Sequence, residues 1–127
     1  MIAAACPRPA LSRRSYVARG EARSTLRLMA ELLPADAVAS GLSDVNDWSG
    51  DGSGITRTVS LPTFPAAIDV VDRIALVAEE MDHHPDIDIR WRKLTFTCAT
   101  HSAGGVTAKD FALAHRIDEI VAAVAPG

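Results

Sequence analysis

The stretch "IDIRWRKLTFTC", Ile87 to Cys98, alternates apolar and polar side chains twice and changes parity in between. Ile87, Ile89 and Trp91 are apolar at odd positions, then Leu94, Phe96 and Cys98 at even ones. Neighbouring side chains of a strand point to opposite faces, so a change of parity marks where the chain reverses while keeping one apolar face. The spacing predicts a hairpin with its two-residue turn at Arg92-Lys93, pairing Trp91 with Leu94, Ile89 with Phe96 and Ile87 with Cys98. Arg-Lys is not a favoured turn dipeptide. Carried outward, the same register sets His84 opposite His101.

The rest of the chain fits around that hairpin. Ile55, Val59 and Leu61 alternate with Thr56, Thr58 and Ser60, the period of a half-buried strand, with Arg57 interrupting its apolar side. Thr63 is placed to cap a helix with Pro65 in its first turn, where a missing N–H costs nothing. Ala67, Ile68, Val70, Val71, Ile74, Ala75, Val77, Ala78 and Met81 fill about half of that helix's circumference. Asp69, Asp72, Arg73 and Glu80 take the other half, and Leu76 falls among them as a pointer to a subunit contact.

Before these elements, Ala35 to Ser40 reads as a short helix stopped by Gly41, and Asn46 to Gly54 as a loop carrying Trp48. After them, Gly104-Gly105 makes a turn, and Thr107 with Asp110 has nearly the form of a capping box. It opens a helix with the apolar stripe Leu113, Ala114, Ile117, Ile120, Val121 and Val124, and with His115 on the polar side. Two strands precede the long helix, two follow it and a helix closes the domain. The fold class is therefore α+β, a two-layer, four-stranded antiparallel sheet with helices packed on one face.

The chain's 127 residues suffice for one domain plus an arm. Residues 1–28 carry six Arg against Glu21, a net charge of +5, whereas residues 29–127 carry seven basic and fifteen acidic groups, a net −8. An acidic body argues against direct nucleic-acid binding. The arm is read as upstream of a functional start at Met29, favoured because Arg outnumbers Lys eleven to two, or as an Arg-rich transit-like segment. Residues 29–127 form the domain. Cys6 and Cys98 lack metal-type spacing, which points to a reducing compartment, with Cys98 as packing. No apolar run approaches the ~18 residues of a membrane span. A cytoplasmic protein is expected.

His83, His84 and His101 converge if the hairpin forms, and three roles are open to them. A buried imidazole is most often satisfied by a core hydrogen bond. A zinc site needs all the ligands on one side, but adjacent strand residues point apart, and no HExxH or HxH spacing is present. General acid–base catalysis suits groups that change charge near neutral pH, and an elimination of water requires both a donor and an acceptor of protons. No serine lies in a nucleophile elbow, and the glycines of 50–54 lack the lysine and following helix of a phosphate loop.

The stretch "AEEMDHHPDIDIRWRKL", followed by "THSAGGVTAKD" and "LAHRID", closely resembles the pterin-4a-carbinolamine dehydratase family. The likeness is strongest from Ala78 to Asp118 and looser from Met29 to Ile74. It implies a four-stranded antiparallel sheet with helices on one face, and removal of water from 4a-hydroxytetrahydropterin to give quinonoid dihydropterin, without metal or organic cofactor. Residue by residue, it implies His83, His84 and His101 as the acid–base set and Pro85 as the proline shaping their turn. Glu79, Pro85, Thr100 and Asp110 are implied around the pterin, and Trp48 as packing. Trp91, Ser102, Val106, Leu61 and Val71 depart from the usual residues at what are read as packing positions. A homodimer or homotetramer is implied, with no membrane partner. The other reading is a protein-interaction or pterin-binding module without turnover.

Overall fold

The structure, a computed structural model, describes residues 30–125; the expected arm and Cys6 lie outside them. In chain order the elements are α1 (Ala35–Asp44), β1 (Ser49–Asp51), β2 (Gly54–Ser60), α2 (Phe64–Met81), β3 (Asp86–Arg90), β4 (Lys93–Cys98), a single 3-10 turn (His101–Ala103) and α3 (Ala108–Val124). The four strands form one sheet in the order β1-β2-β4-β3, every pair antiparallel. The fold is α+β, as the alternation and the element order require.

The period of two decides which face the helices cover. Ile55 pairs with Cys98 and Val59 with Leu94 on the helix side, while Thr56 pairs with Thr97 and Thr58 with Thr95 on the open side. Ile55, Leu61, Leu94, Phe96 and Cys98 are fully buried against Val70 and Ile74 of α2 and Leu113 and Ile117 of α3. Each large side chain so removed from water contributes about 1.5–3 kcal/mol. Arg57, on the helix side opposite Phe96, reaches Asp118 Oδ1 at 2.5 Å and Asp47 Oδ2 at 3.5 Å. Trp48, buried against Phe96, donates its indole N–H to the same Asp118 oxygen at 2.8 Å. The charge that breaks the apolar alternation is thus paired.

The hairpin forms, but two residues away from the expected register. Ile87 pairs with Phe96, Ile89 with Leu94 and Arg90 with Lys93, so the turn is Trp91-Arg92. Lys93 is held in the sheet by its pairing with Ser60 on the other side of β4. Arg92 is fixed by its carbonyl accepting from Leu61 N–H and its Nη1 donating to Leu61 carbonyl, both at 2.9 Å. A shift of two preserves every face, which is why parity foretold the faces and not the partners. Trp91 leaves the apolar face altogether: it is 70% exposed at φ 56, with the Arg92 guanidinium 4.7 Å above its ring. The strands also stop at Asp86 and Cys98, so His84 and His101 are not cross-strand partners.

Two smaller expectations change. The first helix runs through Gly41 to Asp44, because Gly41 accommodates the Phe111 ring rather than ending the helix; a Cβ there would lie 2.5 Å from Phe111 Cζ. The expected loop around Trp48 contains the short edge strand β1. Helix α2 begins as predicted, with Thr63 Oγ1 accepting from Ala66 N–H at 3.1 Å, and Leu76 stands 73% exposed on its outer side. No helix among the described residues is long and apolar enough to cross a membrane.

Candidate active site

Helix α2 ends in a reversal that separates the paired histidines. Asp82 takes the left-handed conformation at φ 50, and the His83 N–H returns to the Ala78 carbonyl at 3.0 Å. This wrap closes the helix as glycine usually does, and Asp is among the few other residues that tolerate it. His83 turns inward, only 9% exposed, and places Nε2 2.6 Å from Asp110 Oδ1. His84 turns outward and places Nε2 2.5 Å from Glu79 Oε2, with both side chains largely in solvent. Pro85, half-buried, leads directly into β3.

The opposite wall comes from the chain after β4. Thr100 bridges to Gly105, and between them the 3-10 turn carries His101 on the surface, closed by Gly104 at φ 81. The Thr100 hydroxyl donates to Asp110 Oδ2 at 2.9 Å and lies 2.7 Å from Thr107 Oγ1. One hydroxyl has one proton, so Thr107 donates to Thr100. The Thr107 N–H also donates to Asp110 Oδ2 at 2.9 Å, while Lys109 N–H donates to Thr107 Oγ1 at 3.3 Å. This is the capping box that the sequence indicated, with Asp in the Glu position.

Asp110 is fully buried, and a carboxylate can remain so only when its oxygens are well supplied with donors. His83, Thr100 and the Thr107 backbone supply them. Of the residues singled out from sequence, His83, Thr100 and Asp110 form one buried hydrogen-bonded unit. His84 and Glu79 form an exposed pair beside it, and His101 follows Thr100 directly. The carboxylate oxygens of Asp110 and the hydroxyl of Thr100 are occupied by protein groups. Thr107 was foreseen as a helix cap only; its hydroxyl also joins the buried chain.

Cys98, fully buried on the helix side of β4, has its thiol pushed far above the ordinary range, chiefly by loss of water and then by the carboxylates of Asp110, Asp86 and Asp118. It therefore stays a protonated packing group. Among the described residues no three His, Cys, Asp or Glu side chains are grouped to hold a metal ion. A cavity of about 500 Å³ lies elsewhere, between Arg57, Leu61 and Arg92 and the last turn of α3 at Val121 and Val124. It touches none of the histidines.

The comparisons with known proteins identify the family. A family model described as Pterin 4 alpha carbinolamine dehydratase matches residues 31–120. Relatives named "Putative pterin-4-alpha-carbinolamine dehydratase" include one from Nocardia farcinica, 56% identical over 90 residues, covering 71% of this chain and 95% of that one. Another, from Roseiflexus castenholzii, is 50% identical over 93 residues, covering 73% of this chain and all of the relative. A solved structure, the transcriptional coactivator/pterin dehydratase from Brucella melitensis, superimposes with a TM-score of 0.67 at 30% identity, over 69% of this chain and 96% of that one. Matched by the family model over residues 31–120 and by relatives over nearly their full length, this chain belongs to the pterin-4a-carbinolamine dehydratase family.

Proposed function

We propose that the protein dehydrates 4a-hydroxytetrahydropterin, with 4a-hydroxytetrahydrobiopterin as a substrate, and that His83, His84 and His101 share the proton transfers. The reaction breaks the C4a–O bond and the N5–H bond of the ring. Its electron balance closes within the substrate: the N5–H pair becomes the C4a=N5 bond, the hydroxyl leaves as water, and quinonoid dihydropterin results. One group must protonate the departing oxygen and another must take the nitrogen proton. Imidazoles serve both ends near neutral pH. The observation that carries this reading is the meeting of two histidine-bearing segments on Asp110, which places His83 and the His101 turn on either side of one buried carboxylate. Glu79 makes the corresponding contact to His84 in a more open setting.

A second reading rests on the Brucella melitensis relative, whose name couples coactivator with dehydratase. An interaction role would use surfaces such as the exposed Leu76 of α2, in a homodimer or homotetramer, and would leave the histidines idle.

Stopped-flow conversion of 4a-hydroxytetrahydropterin separates the two. The wild type is expected to accelerate dehydration over buffer equally with and without chelator, and His83→Ala, His84→Ala and His101→Ala to lose most of that rate. A wild type no faster than buffer overturns the enzymatic reading and favours the binding role.

A further inference from the structure

We propose that Thr100 is a positioning residue that sets His83 and the His101 turn together through its hydroxyl and its backbone N–H and carbonyl. The proposal deepens the acid–base reading above and rests on it.

The backbone of Thr100 frames the His101 turn. Its N–H donates to Gly105 carbonyl at 2.8 Å, and its own carbonyl accepts from Ala103 and Gly104 N–H, both at 3.0 Å. The side chain of the same residue, 5% exposed, is locked in the other direction, donating to Asp110 Oδ2 while accepting from Thr107. The remaining Asp110 oxygen faces His83 Nε2 at 2.6 Å. A displacement of Thr100 therefore moves the third histidine and the partner of the first at once.

The direction of the protons follows from the inventory of donors. As a carboxylate, Asp110 only accepts, so His83 must present Nε2–H to it. In the neutral imidazole that leaves Nδ1 as the nitrogen with a free lone pair. Nδ1 makes no hydrogen bond to the described residues, Nε2 being the nitrogen turned to Asp110. The chain Thr107 to Thr100 to Asp110 thus fixes both the ring orientation and the tautomer of His83, and Nδ1 is the atom that exchanges a proton with the substrate.

The test compares Thr100→Val, which keeps the shape and removes the hydroxyl, with Thr100→Ser, which restores it, each in the wild type and in His83→Gln. Thr100→Val is expected to lower kcat about tenfold or more with KM nearly unchanged, as partners of a reacting imidazole typically do. Thr100→Ser is expected to recover most of the rate, and Thr100→Val to cost clearly less in the His83→Gln background than in the wild type. Nitrogen NMR of the histidine rings provides the second readout: one protonated and one bare nitrogen at His83 in the wild type and Thr100→Ser, and a mixture of tautomers in Thr100→Val.

Wild-type kcat and an unchanged His83 ring signal in Thr100→Val overturn the proposal. So does a Ser variant as impaired as the Val variant, or a Val loss that multiplies in the His83→Gln background. If the wild type does not dehydrate the pterin, the acid–base reading fails and the ring spectra alone decide whether Thr100 positions His83.

Discussion

His83 and Asp110 stand 27 residues apart in sequence and 2.6 Å apart in space, with 10% and 0% of their side chains exposed. Removing either member leaves a buried polar group without its partner, a larger loss than the net worth of the contact. Asp110→Asn faces His83, Thr100 and Thr107 with an amide whose N–H2 cannot accept. Urea unfolding is expected to show a loss of about 2–3 kcal/mol. Dehydratase turnover of the folded variant is expected to fall at least about tenfold.

Gly41 predicts an outcome opposite to that of an ordinary helical glycine. Gly→Ala within a helix normally stabilises by about 1 kcal/mol. Here the added methyl would meet the Phe111 ring at 2.5–2.7 Å, so the ring must move out of its contact with α1. Gly41→Ala is expected to lower stability by about 1–2 kcal/mol. Combined with Phe111→Leu, the alanine should cost less than it does alone. Thermal melts of the four proteins complete the cycle.

Cys98 makes stability decline in alkali. Its thiol is raised in the folded state, so below the ordinary thiol value of about 8.5 both states hold the proton and no pH dependence arises from it. Above that value the unfolded chain ionises while the folded chain does not. Stability then falls by up to about 1.4 kcal/mol per pH unit from this group. Cys98→Ala is expected to flatten the alkaline limb in urea titrations from pH 8 to 10. At neutral pH the wild-type thiol should resist thiol reagents until the protein is unfolded.

Trp91 occupies a left-handed turn position that costs a bulky residue about 1 kcal/mol or more. Trp91→Asn relieves that cost and loses the Arg92 stacking, worth about 0.5–1 kcal/mol at an exposed site. The expected result is stability equal to the wild type or higher by up to about 0.5 kcal/mol, measured by chemical unfolding. A loss of more than about 1 kcal/mol would show that Trp91 packs in a way its exposure does not indicate.

The legible parts of the fold are those set by periodicity. Parity alone assigned Leu94, Phe96 and Cys98 to the covered face, and the Thr63 and Thr107 caps located two helix starts within a residue. The hairpin partners were not legible. They depend on Lys93 and Arg92 being engaged by β2 and Leu61, contacts about 30 residues away that no local pattern records. Gly41 was misread for a similar reason: its missing side chain serves Phe111, 70 residues on, and not its own helix end. At the site, motif resemblance singled out His83, Thr100 and Asp110, but sequence did not distinguish side chains facing a ligand from those facing each other. The Thr107 hydroxyl could have been suspected, because a capping residue beside a buried carboxylate has an oxygen near at hand.

The short turn between β1 and β2 has a reach that its exposure conceals. The Gly52 carbonyl accepts from Val106 N–H at 2.9 Å, and it crowds Gly105 so closely that a Cβ there would lie 2.3 Å away. The loop bearing His101 is therefore stapled to one margin of the sheet, while the histidine pair introduces β3 at the other. The candidate site is thus tied to both margins of the sheet, and Gly52 belongs to its masonry. An insertion at that turn would lengthen the arch rather than decorate the surface.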